Sequence, residues 1–247
     1  MASTRLRFPG LILLCAAVLV ASPGAADAPM LGASKPAARY FLAPGAIDLA
    51  KILPPPPAPD SIAARADLET VLQVQASRTP DQAAWAKFIE ADDLFENARV
   101  LGDWFSMANL PLTAEFFRQA TSDSSMASNA IKALYSRPRP PAVDGRVLPC
   151  VNIPKTGSYP SGHAMRAALR AALLSEIFPE RRAALDDFAR KTAWGRIIGG
   201  VHFPTDIMAG KLLGDALAAE LLKNPAVRAA IEQCRAEAQP FLLKKAA

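Results

Sequence analysis

The sequence has 247 residues, of which 51% are hydrophobic and 21% charged, and it carries a formal net charge of +5. This length is sufficient for one domain with a substantial hydrophobic core. The positive excess is mild and no stretch is dense in lysine or arginine, so the composition argues against a nucleic-acid partner.

Residues 1–26 have the features of a secretory signal peptide. Arg5 and Arg7 precede an apolar run that ends at Val20, and small residues follow as far as Ala26. Because the run is short for a bilayer span, we expect cleavage after Ala26 rather than retention as a membrane anchor. Removing the two arginines from the net charge of +5 leaves +3, and no later stretch predicts a membrane span.

The remainder of the chain predicts an all-α fold. Residues 27–60 are expected to form an irregular arm, because the proline run at 54–59 fits neither a helix nor a central strand. Residues 61–247 contain segments of helical periodicity separated by proline, serine and glycine, and strand patterns are almost absent. We therefore predict a single-domain helical bundle of roughly seven helices over this range.

The expected helix boundaries follow from capping residues. Asp60 or Ser61 caps the first helix, and Pro80 begins a second that extends to Gly102. Residues 103–135 are predicted as two helical pieces, separated at 121–125, where hydroxyl side chains compete for backbone groups. A loop at 141–159 precedes the remaining helices, predicted at 161–178, 179–198, 204–223 and from Pro225 onwards.

Two cysteines, Cys150 and Cys234, remain after the predicted cleavage. An even number of cysteines in an exported protein favours a disulfide between them. The alternative is two buried thiols.

Three short patterns contain both histidines of the chain and three cationic side chains. The first is Lys132-x6-Arg139-Pro140, in which a lysine in the last turn of a helix is followed by an arginine in a proline-flanked segment. An arginine can bind two phosphate oxygens at once, and a lysine adds a point charge. Alternatively, both are ordinary cations near a helix C-terminus.

The second pattern is Pro160-Ser161-Gly162-His163. Ser161 is predicted to cap a helix whose first amide groups can bind an anion. Gly162 allows a ligand to approach the backbone closely. The alternative is a plain N-cap followed by a histidine in the first turn.

The third pattern is Arg196-x5-His202-x3-Asp206. The glycines at 199–200 end one helix, and Pro204 places Asp206 in the first turn of the next. The carboxylate can then fix the tautomer of His202 and raise its basicity. Alternatively, Asp206 is only an acid at a helix start and His202 a loop histidine.

Together the three patterns resemble the three-part motif of the type 2 phosphatidic acid phosphatase superfamily. The stretch 157–163, the proline-rich arm before Ile62 and the run Tyr135-x-Arg137-x-Arg139-Pro140 are similar to its bacterial class A non-specific acid phosphatases. The resemblance covers about residues 45–220. It implies the helical fold shared by acid phosphatases and vanadium-dependent haloperoxidases, and a homo-oligomer. From the signal peptide we expect a secreted, periplasmic enzyme that has no membrane attachment once the signal is removed.

The resemblance also implies a reaction. It suggests a hydrolase without metal or other cofactor that acts on small-molecule phosphate monoesters through a phosphohistidine. His202 would be the nucleophile, Asp206 would orient it, and His163 would protonate the leaving oxygen and then activate water. The groups implied to bind the phosphate oxygens are Lys132, Arg139, Ser161, Gly162 and Arg196.

Some positions depart from the family pattern or leave alternatives open. Gly195 replaces a usual serine, which removes one hydrogen bond to the phosphate or its arginine. Ala164 replaces a common threonine, and Pro141 replaces a common phenylalanine. Arg137 competes with Arg139 as the phosphate ligand, although the spacing favours Arg139.

Three other functions fit part of the pattern. A vanadate-dependent haloperoxidase shares the three motifs but is usually a much longer chain. A lipid phosphatase of the membrane branch would need membrane spans. A periplasmic phosphate-binding protein without catalytic activity would have no need for a nucleophile beside an orienting acid.

Overall fold

The computed structural model describes residues 40–43 and 45–246. The predicted signal peptide and residues 27–39 of the arm lie outside the described residues. All regular structure in the described part of the chain is helical, so the predicted all-α class is confirmed. Its α-helices are α1 (Leu49–Ile52), α2 (Ile62–Ala76), α3 (Pro80–Phe88), α4 (Ala98–Leu101), α5 (Pro111–Tyr135), α6 (Pro140–Val143), α7 (Gly162–Ile177), α8 (Arg182–Ile198), α9 (Pro204–Leu221) and α10 (Pro225–Ala246).

Most helices begin where capping residues predicted. The Oγ atoms of Ser61 and Ser161 accept hydrogen bonds from backbone amides in the first turns of α2 and α7. Prolines occupy the first positions of α3, α9 and α10, where a missing amide hydrogen costs nothing. The short helices α1 and α6 lie in segments that the sequence predicted to be irregular.

The predicted helix from Pro80 to Gly102 is wrong, because α3 ends at Phe88. Asp92 adopts a left-handed backbone conformation with φ 56°, and the carboxylate of Asp93 caps a 3₁₀ turn at Leu94–Asn97. Aspartate tolerates such conformations because its short side chain can bond to nearby backbone groups.

The predicted break at 121–125 is also wrong, since α5 is continuous over 25 residues. The carboxylate of Asp123 accepts hydrogen bonds from three consecutive backbone amides of the arm, at residues 40–42. Ser124 donates to the carbonyl of Thr121 within the helix. These polar side chains therefore have partners that leave the helical hydrogen bonds intact.

Helix α7 lies at the centre of the bundle and packs against both α8 and α9. On α9, Gly210 and Gly214 face the backbone of α7: a Cβ on Gly210 would lie 2.5 Å from the Ser161 carbonyl oxygen, and one on Gly214 would collide with the Met165 carbonyl. The two backbones are therefore in direct contact. The Ser161 amide also donates to the carbonyl of Asp206, at 3.0 Å, which joins the starts of the two helices.

Within residues 40–43 and 45–246, no helix combines the length and apolar character that a membrane crossing requires.

Candidate active site

The three sequence patterns meet where four helices end or begin. Lys132 and Arg196 lie in the last turns of α5 and α8, while His163 and Asp206 lie in the first turns of α7 and α9. The loop before α7 is held to these elements, since Lys132 Nζ donates to the Gly157 carbonyl at 2.7 Å. The structure thus brings residues from distant parts of the sequence into one cluster.

His202 is buried between an acid and a cation. Its Nδ1 atom lies 3.3 Å from Oδ2 of Asp206, and its Nε2 atom lies 3.1 Å from Nη1 of Arg139. Since the guanidinium can only donate, this arrangement favours the neutral tautomer with the proton on Nδ1 and a lone pair on Nε2. Burial lowers the pKa of His202 to about 3, although the hydrogen bond with Asp206 opposes this.

Asp206 is held by several donors besides His202. Oδ2 accepts the Phe203 amide at 2.8 Å, and Oδ1 accepts Nη1 of Arg137 at 2.6 Å. Burial alone would raise the pKa of this carboxyl group, but His202, Arg137 and the amide outweigh it, so the pKa is lowered. Asp206 therefore remains ionised and can orient the imidazole.

His163 has a different environment. Its Nε2 atom lies 3.3 Å from the Glu90 carbonyl oxygen, which can accept the Nε2 proton. Nδ1 lies 3.9 Å from Oδ2 of Asp92. Burial lowers the pKa of His163 to about 4, while the charge of Asp92 opposes the change. Because the Glu90 carbonyl engages Nε2, Nδ1 is the atom available for proton transfer.

The cations of the site are only partly satisfied by protein groups. Arg139 donates to the carbonyls of Val201, Thr156 and Gly157. Arg196 is 1% exposed, yet its Nε and Nη1 atoms have no hydrogen-bond partner among the described residues. Leaving buried charged donors unpaired is costly, so these atoms fit an anionic ligand.

Burial and neighbouring positive charge also lower the pKa values of the other cations in the site. Burial, together with the charge of Arg139, lowers the pKa of Lys132 to about 7. Burial lowers the pKa of Arg139 to about 10, with the charge of Arg196 adding to the effect. An anion placed among these three residues would relieve both the desolvation and the mutual repulsion.

Arg137 and Arg139 differ clearly in their surroundings. Arg137 forms ion pairs with Asp206 and with Asp67, at 2.6 and 2.8 Å, and its guanidinium lies over the ring of Phe203. Its charge is therefore neutralised by protein groups, whereas Arg139 faces His202. The geometry favours Arg139 as the ligand and Arg137 as a support for Asp206.

Two acids near the site were not among the residues predicted from the sequence: Asp67, which pairs with Arg137, and Asp92, which pairs with two arginines of α7. Asp67 lies in α2, 3% exposed, and also accepts the backbone amide of Thr205 at 3.1 Å. The sequence could have identified Asp67 as a buried acid, because it lies within the apolar stripe of α2. Asp92 was missed because it lay within a segment predicted as continuous helix.

The departure at Gly195 has a structural explanation. A Cβ on Gly195 would lie 3.2 Å from side-chain atoms of Ile89 and Trp85, so a serine there would be crowded. The Cβ of Ala164 would lie 2.9 Å from a Cβ on Gly210, at the close crossing of α7 and α9. Pro141 lies in α6.

The structure contradicts the predicted disulfide between Cys150 and Cys234, since both are free thiols. The Sγ atom of Cys150 contacts the Ile198 carbonyl near the end of α8. Cys234 is buried in the hydrophobic core, where its thiol is hydrogen-bonded to the side chain of Thr113 at the start of α5. Each thiol is thus packed in its own environment.

Among the residues that the structure describes, no group of three His, Cys, Asp or Glu side chains could hold a metal ion. The expectation that the protein uses no cofactor remains a prediction.

The chain matches one family model and is similar to several known proteins. Residues 117–228 match the family model described as the PAP2 superfamily. The chain is 31% identical to a non-specific acid phosphatase of Salmonella typhimurium (strain LT2) over 196 residues, which cover 75% of this chain and 78% of the relative. It is 28% identical to a non-specific acid phosphatase of Providencia stuartii, with 83% and 86% coverage.

Among solved structures, a bacterial vanadium-dependent iodoperoxidase has a similar fold, with a TM-score of 0.58 and 19% identity. The match covers 72% of this chain but only 54% of the peroxidase, so the chain spans about half of that protein's length. At this identity the likeness concerns the fold alone.

Proposed function

The chain belongs to the PAP2 superfamily, and from this premise we propose that it hydrolyses phosphate monoesters through a phosphohistidine intermediate without a metal ion. Its relatives are non-specific acid phosphatases, and it is accordingly an acid phosphatase, a phosphoric monoester hydrolase. The intermediate, the roles of the individual residues and the metal independence are the proposed parts.

In the first step, the Nε2 lone pair of His202 attacks phosphorus and the bond from phosphorus to the ester oxygen breaks. The Nδ1 proton stays hydrogen-bonded to Asp206, which stabilises the positive charge that develops on the imidazole. Protonated His163 donates its Nδ1 proton to the leaving oxygen, so the product leaves as an alcohol.

In the second step, His163 is neutral and accepts a proton from water. The water oxygen attacks phosphorus, the bond to His202 Nε2 breaks, and phosphate leaves. Both histidines then regain their starting protonation states. The cycle requires one neutral and one protonated imidazole, which two histidines with different partners can supply.

The observation that carries the proposal is the buried guanidinium of Arg196 with two unpaired donors. It lies close enough to Arg139 and His163 for its charge to lower the pKa of each, in addition to the larger effect of burial. With Lys132, these cations can stabilise the negative charge on the equatorial phosphoryl oxygens in the transition state.

The first test is turnover of a chromogenic phosphate monoester by the mature protein in the presence of EDTA. We expect activity that persists in EDTA, is inhibited by vanadate and is abolished by His202→Ala in a folded protein. Loss of wild-type activity on chelation would contradict the metal-free mechanism, and an active His202→Ala variant would contradict the nucleophile.

Further assays on the same protein distinguish a phosphatase from a haloperoxidase and from a phosphate-binding protein. Bromide oxidation by peroxide in the presence of vanadate, without ester turnover, would indicate a haloperoxidase. Phosphate binding without either reaction would indicate a binding protein. Export to the periplasm, absence of membrane attachment and homo-oligomer formation are further parts of the proposal. The signal-peptide features of residues 1–26 support the first two, and the family resemblance supports the third.

A further inference from the structure

A second cationic cluster lies beside the phosphate site and is not used by the mechanism above. The carboxylate of Asp92 forms ion pairs with both Arg166 and Arg170 of α7, and Arg170 also donates to the Asp92 carbonyl at 2.7 Å. Arg170 is 8% exposed, and its Nε atom has no hydrogen-bond partner among the described residues. Arg166 is one fifth exposed, so solvent and ligands can reach it.

Arg166 adjoins the proposed catalytic groups. A Cβ on Gly162 would lie 3.2 Å from Nη1 and 3.3 Å from Nη2 of Arg166, so the guanidinium covers this glycine. Burial is the main reason that the pKa values of His163 and Lys132 are lowered, and the charge of Arg166 adds to the effect in both cases.

The position of Arg166 on the helix indicates which side of the phosphate it faces. It follows His163 by three residues on α7, so the two side chains lie on the same helix face. Asp92 is near both, because its Oδ2 atom pairs with Arg166 and lies 3.9 Å from Nδ1 of His163. Since His163 is the proposed proton donor to the leaving oxygen, this proximity puts Arg166 near the leaving group in the proposed mechanism.

The cluster retains a net positive charge. Two guanidinium groups share the single carboxylate of Asp92. Glu96 is another acid near Arg170, but burial raises its pKa to about 7, so it is mostly neutral in acidic solution. Glu90 accepts the Asn152 amide and interacts with Arg196 instead.

Building on the proposed function, we propose that Arg166 binds a second anionic group on the substrate. The preferred substrates are then phosphate monoesters whose leaving group carries a carboxylate or phosphate close to the ester oxygen. Asp92 and Arg170 hold Arg166 in place, and the uncompensated charge attracts the second anion.

The test compares 2-phosphoglycolate with 2-hydroxyethyl phosphate, which differ by a carboxylate in place of a hydroxymethyl group. We expect the wild-type protein to favour phosphoglycolate in kcat/KM by about tenfold at low ionic strength, as one charge-assisted contact would give. Arg166→Met should remove this preference, and Arg166→Lys should restore part of it. Arg190→Met, which removes an exposed arginine of α8, is the matched control and should retain it.

Two outcomes would overturn the proposal while leaving the phosphatase function intact. One is a preference that is unchanged in Arg166→Met. The other is an equal loss with both substrates, which would make Arg166 a ligand of the transferred phosphate itself.

Binding at the second anion site can also be measured independently of turnover. Calorimetry with phosphonoacetate and ethylphosphonate should show tighter binding of phosphonoacetate to the wild type, and a smaller difference in a folded Arg166→Met protein. Equal affinities in the wild type would contradict the second anion site. Binding with the expected difference but without ester hydrolysis would contradict only the proposed reaction.

Discussion

At the scale of single residues, the site depends on how each histidine is held. His202 has an acid at Nδ1 and an arginine at Nε2, whereas His163 has a carbonyl at Nε2 and a more distant carboxylate at Nδ1. The first arrangement keeps a lone pair on the atom that would attack phosphorus. The second leaves one ring nitrogen free to transfer a proton.

Replacing Asp206 by asparagine tests the orientation of His202. The amide group of asparagine can donate to Nδ1, which would move the imidazole proton to Nε2 and remove the nucleophilic lone pair. We expect kcat to fall by about 100-fold or more with the fold retained. Steady-state kinetics and circular dichroism measure the two effects.

The matched control is Asp215→Asn, an exposed acid on the same helix that pairs with Lys211. It should leave kcat within about twofold of the wild type, as expected for a surface substitution. A similar loss of activity in both variants would mean that the effect comes from α9 in general rather than from His202.

The expected pH dependence of kcat/KM follows from the lowered pKa values of His163 and Lys132. Above a pKa of about 4, His163 loses the proton that it must donate, and above about 7, Lys132 loses its charge. His202, with a pKa of about 3, stays neutral throughout. We therefore expect kcat/KM to fall as pH rises from 5 to 8, with a steeper fall near 7.

A bound phosphate dianion stabilises the protonated form of His163, so the corresponding fall in kcat should occur at higher pH than the fall in kcat/KM. Lys132→Arg, which keeps its charge at all these pH values, should lose the steeper fall near 7. A profile of kcat/KM that is flat between pH 5 and 8 would contradict the assignment of His163 as the acid.

The residues that lie in contiguous motifs could be predicted from the sequence. Lys132, Arg139, His163 and His202 are recognisable because each has a fixed spacing to its neighbours in a pattern. Asp67 supports the third motif from more than a hundred residues away along the chain, through Arg137 and Thr205. No local pattern carries information on such a pairing.

At the scale of helices, the close contact between α7 and α9 positions the second and third motifs relative to each other. Gly210 and Gly214 permit this contact because neither has a side chain to hold the backbones apart. The amide of Ser161 and the carbonyl of Asp206 then join the two helix starts by a hydrogen bond.

Gly214→Ala tests this contact. Alanine normally stabilises a helix relative to glycine, but here the added methyl group would meet the Met165 carbonyl and the Ala168 side chain. We expect the free energy of unfolding to fall by about 1–3 kcal/mol, measured by urea denaturation. Gly145→Ala, where an added Cβ has no neighbour within 4 Å, is the control and should be nearly neutral.

An unchanged or increased stability of Gly214→Ala would show that the two helices can separate without cost, and that the glycines do not set the geometry of the site.

Helix starts were predictable because they depend on local chemistry. Ser61, Ser161 and the prolines at 80, 204 and 225 begin helices as expected. The errors arose where tertiary contacts decide the local structure. Asp123 binds the arm and so stabilises a continuous α5, and Asp92 pairs with two arginines of α7 from a turn that replaces the expected helix.

At the scale of the whole molecule, no disulfide links the loop before α7 to α10. Cys150 and Cys234 are both free, and Cys234 lies in the main hydrophobic core, where burial raises the pKa of its thiol to about 11. Non-covalent packing of α7 against α8, α9 and α10 holds these helices together.

We therefore expect the melting temperature of the mature protein to be the same with and without a reducing agent. Under native conditions a thiol reagent should modify the partly exposed Cys150 before Cys234, because the thiolate is the reactive form and Cys234 is both buried and weakly acidic. A melting temperature that falls on reduction would show that the disulfide forms after all.

In the proposed mechanism all three motifs act at one phosphorus atom, and His202 carries the phosphoryl group. The most direct test is rapid quenching of the mature enzyme with a labelled phosphate monoester, followed by peptide mapping at alkaline pH, which preserves phosphohistidine. We expect label on the peptide that contains His202, and accumulation of that label in His163→Ala with an activated aryl ester, whose leaving group needs no proton. Label on a different residue, or ester hydrolysis by a folded His202→Ala protein, would contradict it.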